Sequence, residues 1–88
     1  MIKFERHEDE LIGVEHLIGD TYIFYVRKMG TAKEFRCANT LAQKLTERLD
    51  YDSYEVMPIK DNSAFYGADL YNHFSVTFKE NIKKEFKF

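Results

Sequence analysis

From Thr21 to Lys28 the chain is dense in β-branched and aromatic residues, and their alternation commits this stretch to a strand with two usable faces. Residues 32–37 alternate again, and Met29-Gly30 between the runs fits a two-residue turn, so the sequence predicts a β-hairpin over residues 21–37. In that hairpin Phe24 lies opposite Phe35, Tyr22 opposite Cys37 and Val26 opposite Lys33, forming an apolar face. The other face carries Ile23, Tyr25 and Arg27 beside Arg36, Glu34 and Ala32, because successive strand side chains point to opposite sides.

The remaining pattern completes a small domain. Ile2–Arg6 alternates weakly, as a short edge strand does. Residues 8–19 fit two descriptions. One is a short helix, with Glu8, Asp9 and Glu10 at its positive end and Gly19 as its stop. The other is a strand, Leu11–Ile18, turning through Gly19-Asp20; Gly13 costs a helix interior about 1 kcal/mol and favours the strand. A helix is expected at Thr40–Asp50, where Thr40 and Gln43 have capping-box spacing, Asn39 offers a second cap, and Leu41, Ala42, Leu45 and Leu49 form one apolar stripe.

Tyr54–Lys60 reads as a strand that Pro58 confines to an edge or ends early, and Asp61-Asn62-Ser63 reads as a loop. Tyr71–Lys79 alternates cleanly, with Phe74, Val76 and Phe78 on one face and Tyr71, His73, Ser75 and Thr77 on the other. The last residues fit a returning strand that sets Phe74 against Phe86, or a terminal helix using Ile82 and Phe86. The fold class is therefore α+β: a single antiparallel sheet of about four to six strands with one principal helix, about residues 40–50, packed on one face. Residues 1–88 make one domain.

Composition narrows the functional classes. A 44% hydrophobic, 16% aromatic chain of 88 residues can build a core, although a domain this small gains modest stability and homo-oligomerisation is a natural supplement. A single cysteine, Cys37, excludes an internal disulfide framework and points to a reducing cytoplasm. The amino terminus has no apolar signal-peptide core, and no run of ~18 apolar residues predicts a membrane span. The net charge of −2 comes in blocks. Residues 1–26 carry six acids and two bases (−4), and residues 27–48 six bases and two acids (+4). Residues 49–72 carry five acids and one base (−4), and the remainder four bases and two acids (+2).

Candidate chemistry concentrates on the hairpin. Tyr25 offers a flat amphipathic surface, and Arg27 and Arg36 offer planar donors suited to carboxylates, phosphates or rings. Ile23, Ile12 and Val14 join that face in the predicted hairpin, leaving an apolar patch flanked by charge. The expected function is a non-catalytic protein-binding module, an inhibitor or regulator of the size and style encoded by phages and other mobile elements, with Tyr25, Arg27, Arg36, Ile23 and Val14 as partner-binding residues. The alternative is a sheet platform for RNA or single-stranded DNA, with Tyr25, Arg27 and Arg36 joined by Lys83 and Lys84, and with Lys79 and Lys87 as further phosphate contacts. The acidic pI of 5.9 and the absence of an aromatic RNA-recognition motif weigh against it. A second alternative is a small enzyme using His73 with Tyr71 and Ser75. His7, His16 and His73 have no metal-ligand spacing, so neither metal nor cofactor is expected, and the acidic blocks fit at most a local patch docking on basic residues.

Overall fold

The computed structural model describes residues 2–30 and 32–80. The elements follow as β1 (Lys3–His7), β2 (Glu10–Ile18), β3 (Thr21–Arg27), α1 (Lys33–Arg48), β4 (Ser53–Pro58) and β5 (Tyr71–Lys79). The strands form one sheet in the order β1-β2-β3-β5-β4, antiparallel throughout. Since β5 opposes both β3 and β4, these two run parallel, and α1 is the crossover between them. The α+β class, the strand over residues 11–18, the edge strand ended by Pro58 and the alternation of β5 all agree with the sequence. No helix among the described residues is long and apolar enough to cross a membrane.

One face of the sheet receives the helix. Phe24 pairs with Val14 on one side and Phe74 on the other, and Val76 lies between Tyr22 and Val56. With Ile12, Val26 and Phe78 these residues pack against Ala38, Leu41, Ala42 and Leu45 of α1. Each large apolar side chain buried this way contributes about 1.5–3 kcal/mol relative to exposure.

The expected second half of the hairpin is helix instead. Residues 33–39 belong to α1, so Phe24 faces Val14 and Phe74 rather than Phe35, and Arg36 leaves the sheet altogether. Alternation over six residues could not separate strand from helix, because Glu34, Ala38, Leu41, Ala42 and Leu45 also lie on one helical stripe. The start is fixed by Glu34. Its buried carboxylate accepts the N–H groups of Met29 (2.5 Å) and Gly30 (2.6 Å) and the side-chain amide of Asn72 on β5. Gly30 takes a left-handed turn at φ 75°, and Ala32 at the helix N-cap makes no side-chain cap. Thr40 and Asn39 are thus interior, not caps; the Thr40 hydroxyl donates to the Arg36 carbonyl.

The second face is covered by aromatic rings. Tyr25 and His73 are cross-strand partners with ring centroids 4.6 Å apart; Tyr71 lies 6.3 Å from Tyr25, Phe4 lies 6.2 Å from Tyr71, and Phe65 stacks on His73 at 5.2 Å. Gly13 makes room for this layer: a Cβ there would sit 3.0 Å from Ile2 Cγ2 and Tyr25 Cβ and 3.1 Å from Phe4 Cε2. The suggested terminal strand or helix, including Lys83 and Lys84, lies outside the described residues.

Substitutions at two residues test this frame in urea unfolding. Glu34→Ala leaves three donors without their acceptor and is expected to cost about 1–3 kcal/mol, with Glu34→Gln milder because an amide oxygen still accepts. Gly13→Ala is expected to cost about 1–3 kcal/mol by overpacking the aromatic layer. Unchanged midpoints would remove either residue from the account.

Candidate functional site

The structure separates the five sequence-predicted partner residues. Ile23 and Tyr25 are buried on the second face, at 1% and 2% exposure, and the Tyr25 phenol donates to Glu15 Oε1 at 2.5 Å. Burial foremost, then the hydrogen bond and charge of Glu15, pushes that phenol well above its ordinary value. Tyr25 is a core residue. Arg27 is exposed at the end of β3 on the second face, whereas Arg36 is exposed on α1 against the first face. Val14 and Ile12 sit on the helix side, because their register partners belong to the Phe24 row and not the Tyr25 row.

His73 is not on a solvated strand face. It is 1% exposed, its Nδ1 accepts from Asn62 Nδ2 at 2.8 Å, and its Nε2 donates to the Tyr66 carbonyl at 2.9 Å. The neutral Nε2–H tautomer satisfies both bonds. Asn62 also donates to the Tyr71 carbonyl, and Gly67, with φ 68°, rests against the Tyr71 ring. The imidazole therefore ties the connection between β4 and β5 onto the sheet. A cleft of about 370 Å³ touches Glu34, Asn72 and His73, but these groups spend their polar atoms on one another's loops.

His7 is likewise buried at 2%, and its Nε2 has no hydrogen-bond partner among the described residues; Glu8 Oε2 stands 4.0 Å away. Cys37 is half-buried in α1. Burial pushes its thiol up, the Glu10 and Glu8 charges push the same way, and Lys33 and Arg36 oppose them. No group of three or more His, Cys, Asp or Glu residues could hold a metal ion among the described residues.

The surface best formed for binding is one the sequence reading reached only through Val14. α1 covers β3, β5 and β4 more than the outer hairpin, and beside its carboxy-terminal half opens a groove of about 370 Å³. Val14, Tyr22, Leu45 and Leu49 supply its apolar lining, and Lys3, Glu5, His16 and Arg48 its polar rim. Arg48 reaches Glu5 at 3.1 Å across one side. Leu49 ends the helical stripe and stays 42% exposed.

Beyond His16 on the groove's rim the hairpin ends in an apolar tip, where Ile18 pairs with Thr21 and so lies on the second face. A β-bulge between His16 and Ile18 inserts Leu17 as an extra residue beside the His16–Tyr22 pair, and Leu17 and Ile18 are 53% and 72% exposed. The tip is held in place. His16 Nε2 bonds the Gly19 carbonyl at 2.7 Å, the His16 ring lies 4.8 Å from Tyr22, and the Tyr51 phenol donates to Asp20 at 2.5 Å while stacking on Phe78. The helical stripe in the sequence named Leu45 and Leu49; their adjacency to His16 and Tyr22 required the helix's placement on the sheet.

No protein-family model, curated protein or solved structure matches the chain.

The Tyr51 phenol is pushed up to about 12, first by its bond to Asp20 and then by burial and the Asp20 charge. A raised phenol contributes its stability in full below the ordinary value of 10 and loses it as pH rises through about 12. Ultraviolet phenolate titration of Tyr51→Phe should therefore lack a component near pH 12 that the parent has. An identical titration curve would mean that the tip is not tied to the α1–β4 loop as described.

Proposed function

We propose that this protein is a non-catalytic protein-binding module, acting as a small inhibitor or regulator through the groove beside α1 and the adjoining hairpin tip. One observation carries the reading: Leu49 remains exposed on a groove lined by Val14, Tyr22 and Leu45, and Leu17, next in the chain after His16 on the groove's rim, is exposed as well, on a hairpin braced by Tyr51–Asp20 and His16–Gly19. Exposed apolar patches rimmed by charge are characteristic of protein interaction sites. A preorganised patch also loses less conformational entropy on binding. The role of His73 as a hydrogen-bonded brace favours binding over catalysis at that position.

The test is affinity capture from a nuclease-treated lysate with the parent and with Leu49→Lys and Leu17→Lys. A specific protein retained by the parent and weakened at least about tenfold by each variant is the expected outcome, matching loss of a central apolar contact of 1.4 kcal/mol or more. Equal retention by all three proteins would exclude this surface.

A second reading rests on a different patch. Phe4 and Tyr71 lie 6.2 Å apart on the second face, and the next row of the sheet pairs Arg6 with Leu11 and Arg27 with Tyr71. Phe4 is 41% exposed and Tyr71 half-buried, and accessible rings beside arginines suit unpaired bases. Binding of a single-stranded oligonucleotide that weakens steeply with salt and depends on Arg6 and Arg27 would favour this platform; salt-independent or absent binding would remove it.

A further inference from the structure

We infer that the outer edge of β1 takes an extended segment of a partner protein, added antiparallel as a further strand, with an acidic residue opposite Arg6 and an apolar residue opposite Phe4. The inference rests on the protein-binding reading but places the contact on another surface, continuous with the groove through Lys3 and Glu5 of the same strand.

Backbone geometry defines the edge. His7 and Glu10 are register partners across the turn Glu8-Asp9, and so exchange both ladder hydrogen bonds. Alternation makes Glu5–Ile12 and Lys3–Val14 bonded pairs too, and turns the N–H and C=O groups of Phe4 and Arg6 away from β2. Among the described residues no strand pairs with that side, and β1 carries neither a proline nor a bulge. The opposite edge differs, because β4 ends at Pro58, which has no N–H to offer. Outward main-chain groups in a regular row are a template for another strand.

Side chains set the chemistry of that strand. Phe4, Arg6 and Leu11 share the second face and are all exposed, Phe4 at 41% and Leu11 at 48%. Arg6 makes no ion pair among the described residues. Opposite charges and aromatic–apolar pairs placed directly across two strands stabilise them, and like charges do the reverse. The turn acids Glu8 and Asp9 lie just beyond His7, so an incoming acid fits opposite Arg6 and not further along. Because the added strand runs against β1, its acid comes before its apolar residue with one residue between them.

Amide hydrogen exchange of the full chain is the first test. The Phe4 and Arg6 amides should exchange at least about tenfold faster than those of Glu5 and His7, which bond β2. Equal protection in the free protein would overturn the inference: if independent of concentration, this chain's own residues cover the edge, and if rising with concentration, a second copy does.

Selection from a displayed library of random peptides then supplies the probe. The parent should enrich the pattern of an acid, any residue and an apolar residue, and a synthetic copy of an enriched peptide should slow exchange at Phe4 and Arg6. Arg6→Pro removes an outward donor while leaving the β1–β2 bonds in place, and should weaken that peptide at least about tenfold with its circular dichroism unchanged. Arg6→Glu keeps the test open should the proline unfold the chain, and should shift the selection to a basic residue at the acidic position. No enrichment, peptides without the pattern, a peptide indifferent to both substitutions, or a single-stranded oligonucleotide as the only ligand of Arg6 would each overturn the inference. Its failure is separable from that of the binding function: a protein lost with Leu49→Lys but retained by Arg6→Pro keeps the groove and removes the edge.

Discussion

The carboxylate of Glu34 sits where three parts of the chain must agree. It closes the loop after β3 by accepting the Met29 and Gly30 N–H groups, it begins α1, and it reaches Asn72 on the strand inserted between β3 and β4. Buried backbone donors need acceptors, and this turn finds them in a side chain rather than in a second hairpin strand. The helix therefore starts at Lys33, crosses the sheet, and delivers β4 to the far edge. Everything on the helix side, including the groove, takes its position from that start.

The two faces of the sheet solve burial differently. The helix side is filled by aliphatic side chains and phenylalanines against α1, and the second side by a layer of Tyr25, His73, Tyr71, Phe4 and Phe65. In that layer the polar atoms find internal partners: Tyr25 at Glu15, His73 at Asn62 and Tyr66. Residue types that favour binding on a surface here serve cohesion, because aromatic side chains with a polar tip suit a buried site whenever that tip has a partner. The same preference for a single helix leaves part of the outer hairpin open, so the groove is a consequence of the architecture and not of a special motif.

Much of the fold was legible because alternation is a local property. β1, β2, β3, β4 and β5 each carry a period of two or a turn signal that can be read without knowledge of neighbours. The segment 32–39 was misread for a local reason too, since six residues fit either period and the Thr40–Gln43 spacing imitated a helix start. Of the site, Val14 alone was named in advance, and for a face it does not occupy. Tyr25 and Ile23 looked available because no local signal says that Gly13 lets Phe4 and Ile2 close over that face.

The sequence by itself determined the class of the protein: an antiparallel sheet of about four to six strands, one principal helix, one cysteine and a mildly acidic charge arranged in blocks. Those features depend on residue type and spacing along the chain. The tertiary structure alone decided that β5 enters between β3 and β4, that Arg27 and Arg36 part to opposite sides of the sheet, and that Val14, Tyr22, Leu45 and Leu49 meet around one groove. Strand order, helix crossing and the covering of each face depend on contacts between residues far apart in the chain, and local patterning specifies what can be buried without specifying against what.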